Sequence, residues 1–137
     1  MKISSREGSS VQKSDMHFME KVRQNSQSQG FVAEKQLSVE MDNYLLDHAI
    51  NETPVFPGVM GLETFAQAVI SFTGSYPTKI SNVHFKLPVK LLKNKPVNIL
   101  ISASKKDSAI NMSITSEFIN SRGVKMGDTR THFTSEY

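Results

Sequence analysis

One stretch of this chain constrains its fold more than any other. Residues 58–74 run without proline and with apolar side chains at helical spacing, and Pro57-Gly58 precedes them while Gly74 and Pro77 follow. Leu62, Phe65, Val69 and Phe72 make an apolar arc along that helix. What comes next alternates instead. Val83, Phe85, Leu87, Val89 and Leu91 alternate with polar residues or proline, then Val97, Ile99, Ile101 and Ala103, then Ile110, Met112, Ile114 and Phe118, and a last run covers Thr129–Tyr137. Lys105-Lys106-Asp107-Ser108 and Ser121-Arg122-Gly123 read as hairpin turns. Before the helix, Leu37, Val39 and Met41 put one apolar face on a strand over Phe31–Met41, and the proline-punctuated stretch Asp42–Pro57 reads as an ordered loop. One apolar face per strand means an antiparallel sheet covered on one side. One central helix with about five such strands is an α+β layout.

The rest of the sequence narrows the class. A chain of 137 residues is one domain, and with no Cys it excludes a disulfide scaffold, Cys-based zinc sites and thiol catalysis. No apolar run approaches the ~20 residues of a membrane span. The start, Met1-Lys2-Ile3-Ser4-Ser5, has no apolar region of the secretory type, so a cytoplasmic protein is expected. A formal charge of +3 gives no argument for a nucleic-acid partner. Residues 1–30 hold seven Ser and four Gln, and read as a flexible arm or linker ahead of a single domain over 31–137. Within that arm a short helix over Asp15–Gln24 is expected, capped by Asp15, with Phe18, Met19 and Val22 sharing a face.

The stretch that can carry chemistry runs from Asp47-His48 to Glu63. Pro57-Gly58 opens the helix, where backbone N–H groups lack intrahelical partners and the positive end of the dipole lies. The N–H groups of Gly58 and Val59 suit an oxyanion, although Pro-Gly also serves as a plain helix start. Glu63 lies beside Val59, Ala66 and Ile70 on the helical wheel, where burial would keep a carboxylic acid neutral and able to donate a proton; equally, it can sit at the polar edge with Thr64 and Gln67. Among the four histidines, His17 lies in the arm, His84 on the polar face of a strand, and His132 next to Phe133. His48 falls in the loop that must pack against the helix start, where an imidazole suits general base work or a structural hydrogen bond. No second His or carboxylate has helical metal-ligand spacing to His48, which lies in a loop, so no metal site is expected.

These residues resemble a known family. The run from Asp47-His48 to Glu63 is similar to the hot-dog dehydratases, most of all the N-terminal hot-dog half of the dehydratase domains of polyketide and polyunsaturated-fatty-acid synthases. Their signature is H-x-x-x-G-x-x-x-x-P followed by Gly. His48, Pro57 and Gly58 match it, and Glu52 stands where Gly is usual. The stretch from Gly58 to Glu63, with Gln67 and Ala68 beyond it, also resembles the P-G-V-x-x-x-E-A-x-A-Q run of the single-domain fatty-acid-type dehydratases. Val83–Leu91 looks like the strand after the helix, and Thr131-His132-Phe133 like the last strand.

The resemblance implies a hot-dog fold whose sheet edges pair, as a homodimer or a tandem double hot dog. It implies a lyase of fatty-acid or polyketide synthesis that dehydrates a 3-hydroxyacyl thioester to a 2-enoyl thioester. The substrate rides on acyl-carrier-protein phosphopantetheine, and the enzyme needs no cofactor of its own. His48 would take the C2 proton, Glu63 would protonate the departing hydroxyl, and Gly58 and Val59 would polarise the thioester carbonyl. In tandem dehydratases the acid is an Asp of the second hot dog, so here it is Glu63 or lies on another chain. Between Ala66 and Lys106 the chain has seven Lys and no acidic residue, which suits an acidic carrier or blunts strand edges. Two other functions compete: a non-catalytic hot dog that binds acyl carrier protein or completes a partner's site, and a hot-dog thioesterase. His48 before Pro57-Gly58 argues against the thioesterase.

Overall fold

The computed structural model describes residues 16–119, 122 and 125–137. In chain order it has strands β1 (Lys21–Ser26) and β2 (Gly30–Leu37), a 3-10 turn (Asn43–Asp47), the short strands β3 (Ala49–Ile50) and β4 (Thr53–Pro54), and helix α1 (Gly58–Thr73). Strand β5 (Ser81–Phe85), a second 3-10 turn (Leu92–Asn94), β6 (Val97–Lys106), β7 (Ala109–Ile119) and β8 (Lys125–Glu136) follow. Six strands make one antiparallel sheet in the order β1-β2-β6-β7-β8-β5, and β3-β4 form a small separate hairpin.

The pleat sorts the side chains. Phe31, Ala103, Met112 and Ser135 stand in one row across β2, β6, β7 and β8, and Ala33, Ile101, Ile114 and Phe133 in the next. All eight are buried, and they form the face on which α1 lies. The helix buries Gly61, Thr64, Phe65, Gln67, Ala68, Val69 and Phe72. That spacing of three and four gives a single stripe toward the sheet. Gly74 ends the helix in the left-handed region at φ 79°, its N–H donating to the Ile70 carbonyl at 2.8 Å. A helix wrapped by an antiparallel sheet is the hot-dog arrangement that the sequence implied.

Several expectations change. Residues 16–30 belong to the fold, because β1 pairs with β2 and Phe18 and Met19 lie in the core. The short helix is replaced by β1, and Val22 points outward, because pairing with β2 outweighs local helix preference. Residues 1–15, with the Asp15 cap, lie outside the described residues, as does the turn at Ser121-Arg122-Gly123 apart from Arg122. The strand over Phe31–Met41 stops at Leu37, and Met41 is exposed. β5 stops at Phe85, beyond which Val89 and Leu91 turn into the core from irregular backbone. The other hairpin turn is present, with Asp107 at φ 57° between β6 and β7.

The helix lies so close to the sheet that a Cβ placed on Gly61 would come 2.6 Å from Phe133 Cε2. On helix propensity, Gly61→Ala should stabilise by about 1 kcal/mol. Overpacking against a ring that is itself buried costs about 1–3 kcal/mol. We therefore expect Gly61→Ala to lower the unfolding free energy in urea titration. A gain in stability would show that Phe133 gives way.

Candidate active site

The loop that carries His48 is built from its beginning. Asp42 turns the chain after β2, its N–H donating to the Ser38 carbonyl at 2.8 Å while its Oδ2 accepts from the Ser38 N–H at 3.1 Å. Leu45 N–H then donates to the Asp42 carbonyl at 3.0 Å, and His48 N–H to the Leu45 carbonyl at 3.3 Å. Leu45 is buried and anchors this 3-10 turn. The β3-β4 hairpin next reverses the chain through Asn51 (φ 50°) and Glu52 (φ 69°), both left-handed, as a two-residue hairpin turn of this kind demands. The reversal lays Val55 alongside His48, and Val55 N–H donates to the His48 carbonyl at 2.9 Å.

The His48 ring is held by the same pairing. Its Nδ1 lies 3.1 Å from the Val55 carbonyl oxygen. A carbonyl only accepts, so Nδ1 carries a proton, and in the neutral ring the lone pair is on Nε2. The side chain is exposed. An imidazole held in this tautomer can accept a proton at Nε2.

Three residues after Val55 the helix begins. Phe56 N–H donates to the Val89 carbonyl and Leu91 N–H to the Pro54 carbonyl, both at 2.9 Å, which pins the approach to Pro57. Met60 and Gly61 N–H both donate to the Pro57 carbonyl. The N–H groups of Gly58 and Val59 therefore lie ahead of the helix's own ladder. Phe56 is buried, and its ring meets Phe18 at 5.8 Å, Tyr44 at 6.4 Å and Phe133 at 6.1 Å between centroids. Phe85 packs edge-on to Phe133 at 5.2 Å and lies over Gly58, where a Cβ would come 3.2 Å from its Cζ. Glycine at this position thus makes room for Phe85 at the mouth of the helix.

Glu63 is placed differently from the buried acid that its neighbours suggested. Its side chain is exposed, Val59 is 66% exposed, and Ala66 and Ile70 are only half-buried. The sheet covers the arc through Phe65, Ala68, Val69 and Phe72, and Glu63 lies off it. Gln67 Nε2 donates to Glu63 Oε2 at 2.9 Å. Gln67 itself is buried, and its Oε1 accepts from the Phe18 N–H at 2.8 Å. Glu52 is exposed at the hairpin tip. The structure thus ties His48 to Val55, in the segment that leads into Pro57, Gly58 and Val59 at the helix start, while Glu63 occupies the second turn of that helix with partners of its own.

Sequence reasoning passed over two buried polar groups beside the site. Lys35 is 1% exposed, with Nζ 3.5 Å from Asp42 Oδ1 and 3.6 Å from Glu20 Oε2. Asp42 Oδ1 also lies 2.9 Å from His17 Nε2. Burial and the neighbouring Asp42 push the Tyr44 hydroxyl well above the usual tyrosine range. On the far side of the loop, His132 is buried and its pKa is lowered by that burial. Its Nδ1 donates to the Leu87 carbonyl at 3.1 Å and its Nε2 accepts from Ser116 Oγ at 2.6 Å. Lys86 and Leu87 N–H donate in turn to the His132 carbonyl. The loop over residues 86–95 is thereby fixed next to the helix start with Lys86, Lys90, Lys93 and Lys95 all exposed. Among the described residues, no helix is long and apolar enough to cross a membrane, and no group of three His, Asp or Glu is placed to hold a metal ion.

Comparison with known proteins locates this architecture. The family described as polyketide synthase dehydratase domain matches residues 18–117. Among solved structures, the dehydratase domain from the CurJ module of the curacin polyketide synthase aligns with a TM-score of 0.72 at 18% identity, over 89% of this chain and 42% of that one. The dehydratase domain of the terminal module of the rifamycin polyketide synthase gives 0.67 at 19%, over 84% and 40%. That of a mycocerosic acid synthase-like polyketide synthase gives 0.71 at 16%, over 93% and 41%. The chain therefore spans about two fifths of the length of these structures. No curated protein sequence matches it.

The hairpin tip yields a measurable consequence. Holding an L-residue such as Glu52 in the left-handed region costs roughly 1–2 kcal/mol, and the extra chain entropy of a glycine costs roughly 0.5–1 kcal/mol. Glu52→Gly is expected to raise stability by up to about 1 kcal/mol in chemical denaturation. A loss of stability would mean that the Glu52 side chain makes a compensating contact.

Proposed function

We propose that this chain, which belongs to the polyketide synthase dehydratase family, dehydrates 3-hydroxyacyl thioesters carried on an acyl carrier protein. The observation that carries this reading is the His48 ring, held through Nδ1 on Val55, three residues ahead of a helix start without a side-chain cap, while Nε2 has no partner among the described residues. His48 Nε2 takes the C2 proton of the substrate, and the N–H groups of Gly58 and Val59 stabilise the charge that develops on the thioester oxygen. The 3-hydroxyl leaves as water once an acid has protonated it, giving the 2-enoyl thioester. The proton held by His48 then returns to the acid through solvent, and the site is reset.

We assign the acid to Glu63 of a second copy. The support is threefold. Glu63 is exposed rather than buried within its own unit. β5 is an edge strand of the sheet. Beside it Phe85 is 58% exposed, with Val59, Leu62 and Leu87 also exposed around the helix start. An open edge next to an apolar surface suits pairing with a second hot dog. The acidic carrier docks on Lys86, Lys90, Lys93 and Lys95. Among the described residues these four form no ion pair.

The test is incubation of the pure protein with crotonyl and 3-hydroxybutyryl pantetheine thioesters. Interconversion is expected, and His48→Ala should lose roughly 10²–10⁴ of the rate. Release of free thiol would instead identify a thioesterase, and no reaction would favour a non-catalytic module. Mixing His48→Ala with Glu63→Gln, each inactive by itself, should restore about a quarter of the activity, since a two-fold pair of this kind has one intact site in each mixed dimer. If mixing restores nothing, the shared-site assignment falls.

Carrier docking is tested separately. Reversing Lys86 and Lys90 to Glu should raise KM for a carrier-bound substrate roughly tenfold at low salt, while KM for the pantetheine thioester stays unchanged. Equal effects on both substrates would remove these lysines from the docking surface.

A further inference from the structure

Residues 16–20 have no place in the chemistry above, yet they contact Asp42 and Gln67, which lead to both ends of it. His17 Nε2 lies 2.9 Å from Asp42 Oδ1, and the adjacent Phe18 N–H donates to Gln67 Oε1 at 2.8 Å. From Asp42 the contacts run forward to the candidate base: its carbonyl accepts from Leu45 N–H, and the Leu45 carbonyl accepts from His48 N–H. From Gln67 they run to the candidate acid, through Nε2 and Glu63 Oε2 at 2.9 Å. One polar path therefore joins His48 to Glu63 within a single unit, and its midpoint is the peptide between His17 and Phe18. His17 itself is half-exposed, but its partners lie inside. Asp42, Lys35, Phe18 and Gln67 are all buried, and Glu20 accepts from Gln36 N–H at 3.3 Å, which ties the segment to the end of β2.

We propose that His17, Asp42 and Gln67 are positioning residues, and that the segment from His17 to Glu20 is a clamp that holds His48 for one site of the pair and Glu63 for the other. The inference rests on the dehydratase reading for its kinetic consequence but on the contacts alone for its structural one. Asp42 has both carboxylate oxygens engaged, one on the Ser38 N–H that opens the turn and one on His17 and Lys35. It is thereby held at the root of the turn that ends at His48. Gln67 uses both ends of its amide, so the Glu63 carboxylate takes its direction from the clamp rather than from solvent. Without the clamp, the 3-10 turn loses the His17 contact on Asp42 Oδ1, and Gln67 loses the Phe18 N–H that orients its amide toward Glu63.

The experiment compares three variants with the wild-type chain. His17→Ala removes the Asp42 contact, His17→Gln restores an amide donor at the same reach, and Gln67→Glu keeps the acceptor for Phe18 but loses the donation to Glu63. Crotonyl-thioester hydration and the backbone amide resonances of Leu45, His48 and Glu63 are read for each, with melting temperature recorded as a check on folding. We expect kcat to fall by about tenfold to a hundredfold in His17→Ala and Gln67→Glu with KM little changed, because misplacement by a fraction of an ångström acts on the reacting geometry. The His48 resonance should move in His17→Ala and the Glu63 resonance in both, and His17→Gln should recover kcat and the resonances. If His17→Ala folds poorly, Gln67→Glu decides, since it preserves the buried shape. Unmoved resonances, or an unchanged kcat in a folded variant, overturn the clamp. A wild-type chain with no hydration activity defeats the dehydratase reading instead, and the resonances then decide the clamp by themselves.

Discussion

The burial of Phe56 is the contact on which the rest of the structure depends. The residue lies directly before Pro57-Gly58, and helix α1 has no side-chain cap of its own. The helix start is therefore placed from outside, by what holds Phe56. Its ring packs against Phe18 from the N-terminal segment, Tyr44 from the 3-10 turn and Phe133 from β8, and its N–H is tied to Val89. Three segments thus converge on its ring and a fourth on its backbone. Aromatic pairs of this kind add about 0.5–1.5 kcal/mol each beyond the area they bury. The chemistry-bearing groups are attached to this fixed point from opposite sides, with His48 before it through Val55 and the free N–H groups after it in α1.

The sequence made the helix and the four later strands legible because each has a period long enough to stand out. Only one spacing of apolar residues is compatible with each. The N-terminal segment was not legible for a physical reason. β1 is an edge strand whose residues are mostly exposed, so it has the polar composition of an unstructured arm. Its value lies in pairing with β2, and pairing leaves no mark on composition. The adjacent burial of Phe18 and Met19 fits neither helical nor strand periodicity, because the chain crosses the end of the core there without regular structure.

The site was legible as a motif and opaque as a network. His48, Pro57 and Gly58 could be read because their spacing is local, and the left-handed Glu52 shows that the turn geometry usually met by glycine is kept at some cost in strain. Lys35, Asp42 and Gln67 could not be read, since a buried polar residue is identified by its partner. Gln67 finds its partner 49 residues away, at Phe18. His132 is the same case. Its ring and carbonyl both serve the loop at residues 86 and 87, across 45 residues or so of intervening chain. Histidine count and flanking residues say nothing of that.

Glu63 exposes the difference between a wheel and a fold. The wheel correctly gave it Val59, Ala66 and Ile70 as neighbours, but neighbours desolvate a carboxyl only if something covers them. The sheet of this unit covers the opposite arc and leaves Val59 two thirds in solvent. The premise for a neutral acid is therefore unmet within one chain. It can be met only if a second apolar surface closes over the first two turns of α1. The same closure would cover Phe85 and Leu87 at the open edge. Whether Glu63 acts as an acid and whether the sheet edge is paired are thus a single physical question, because one desolvation event answers both.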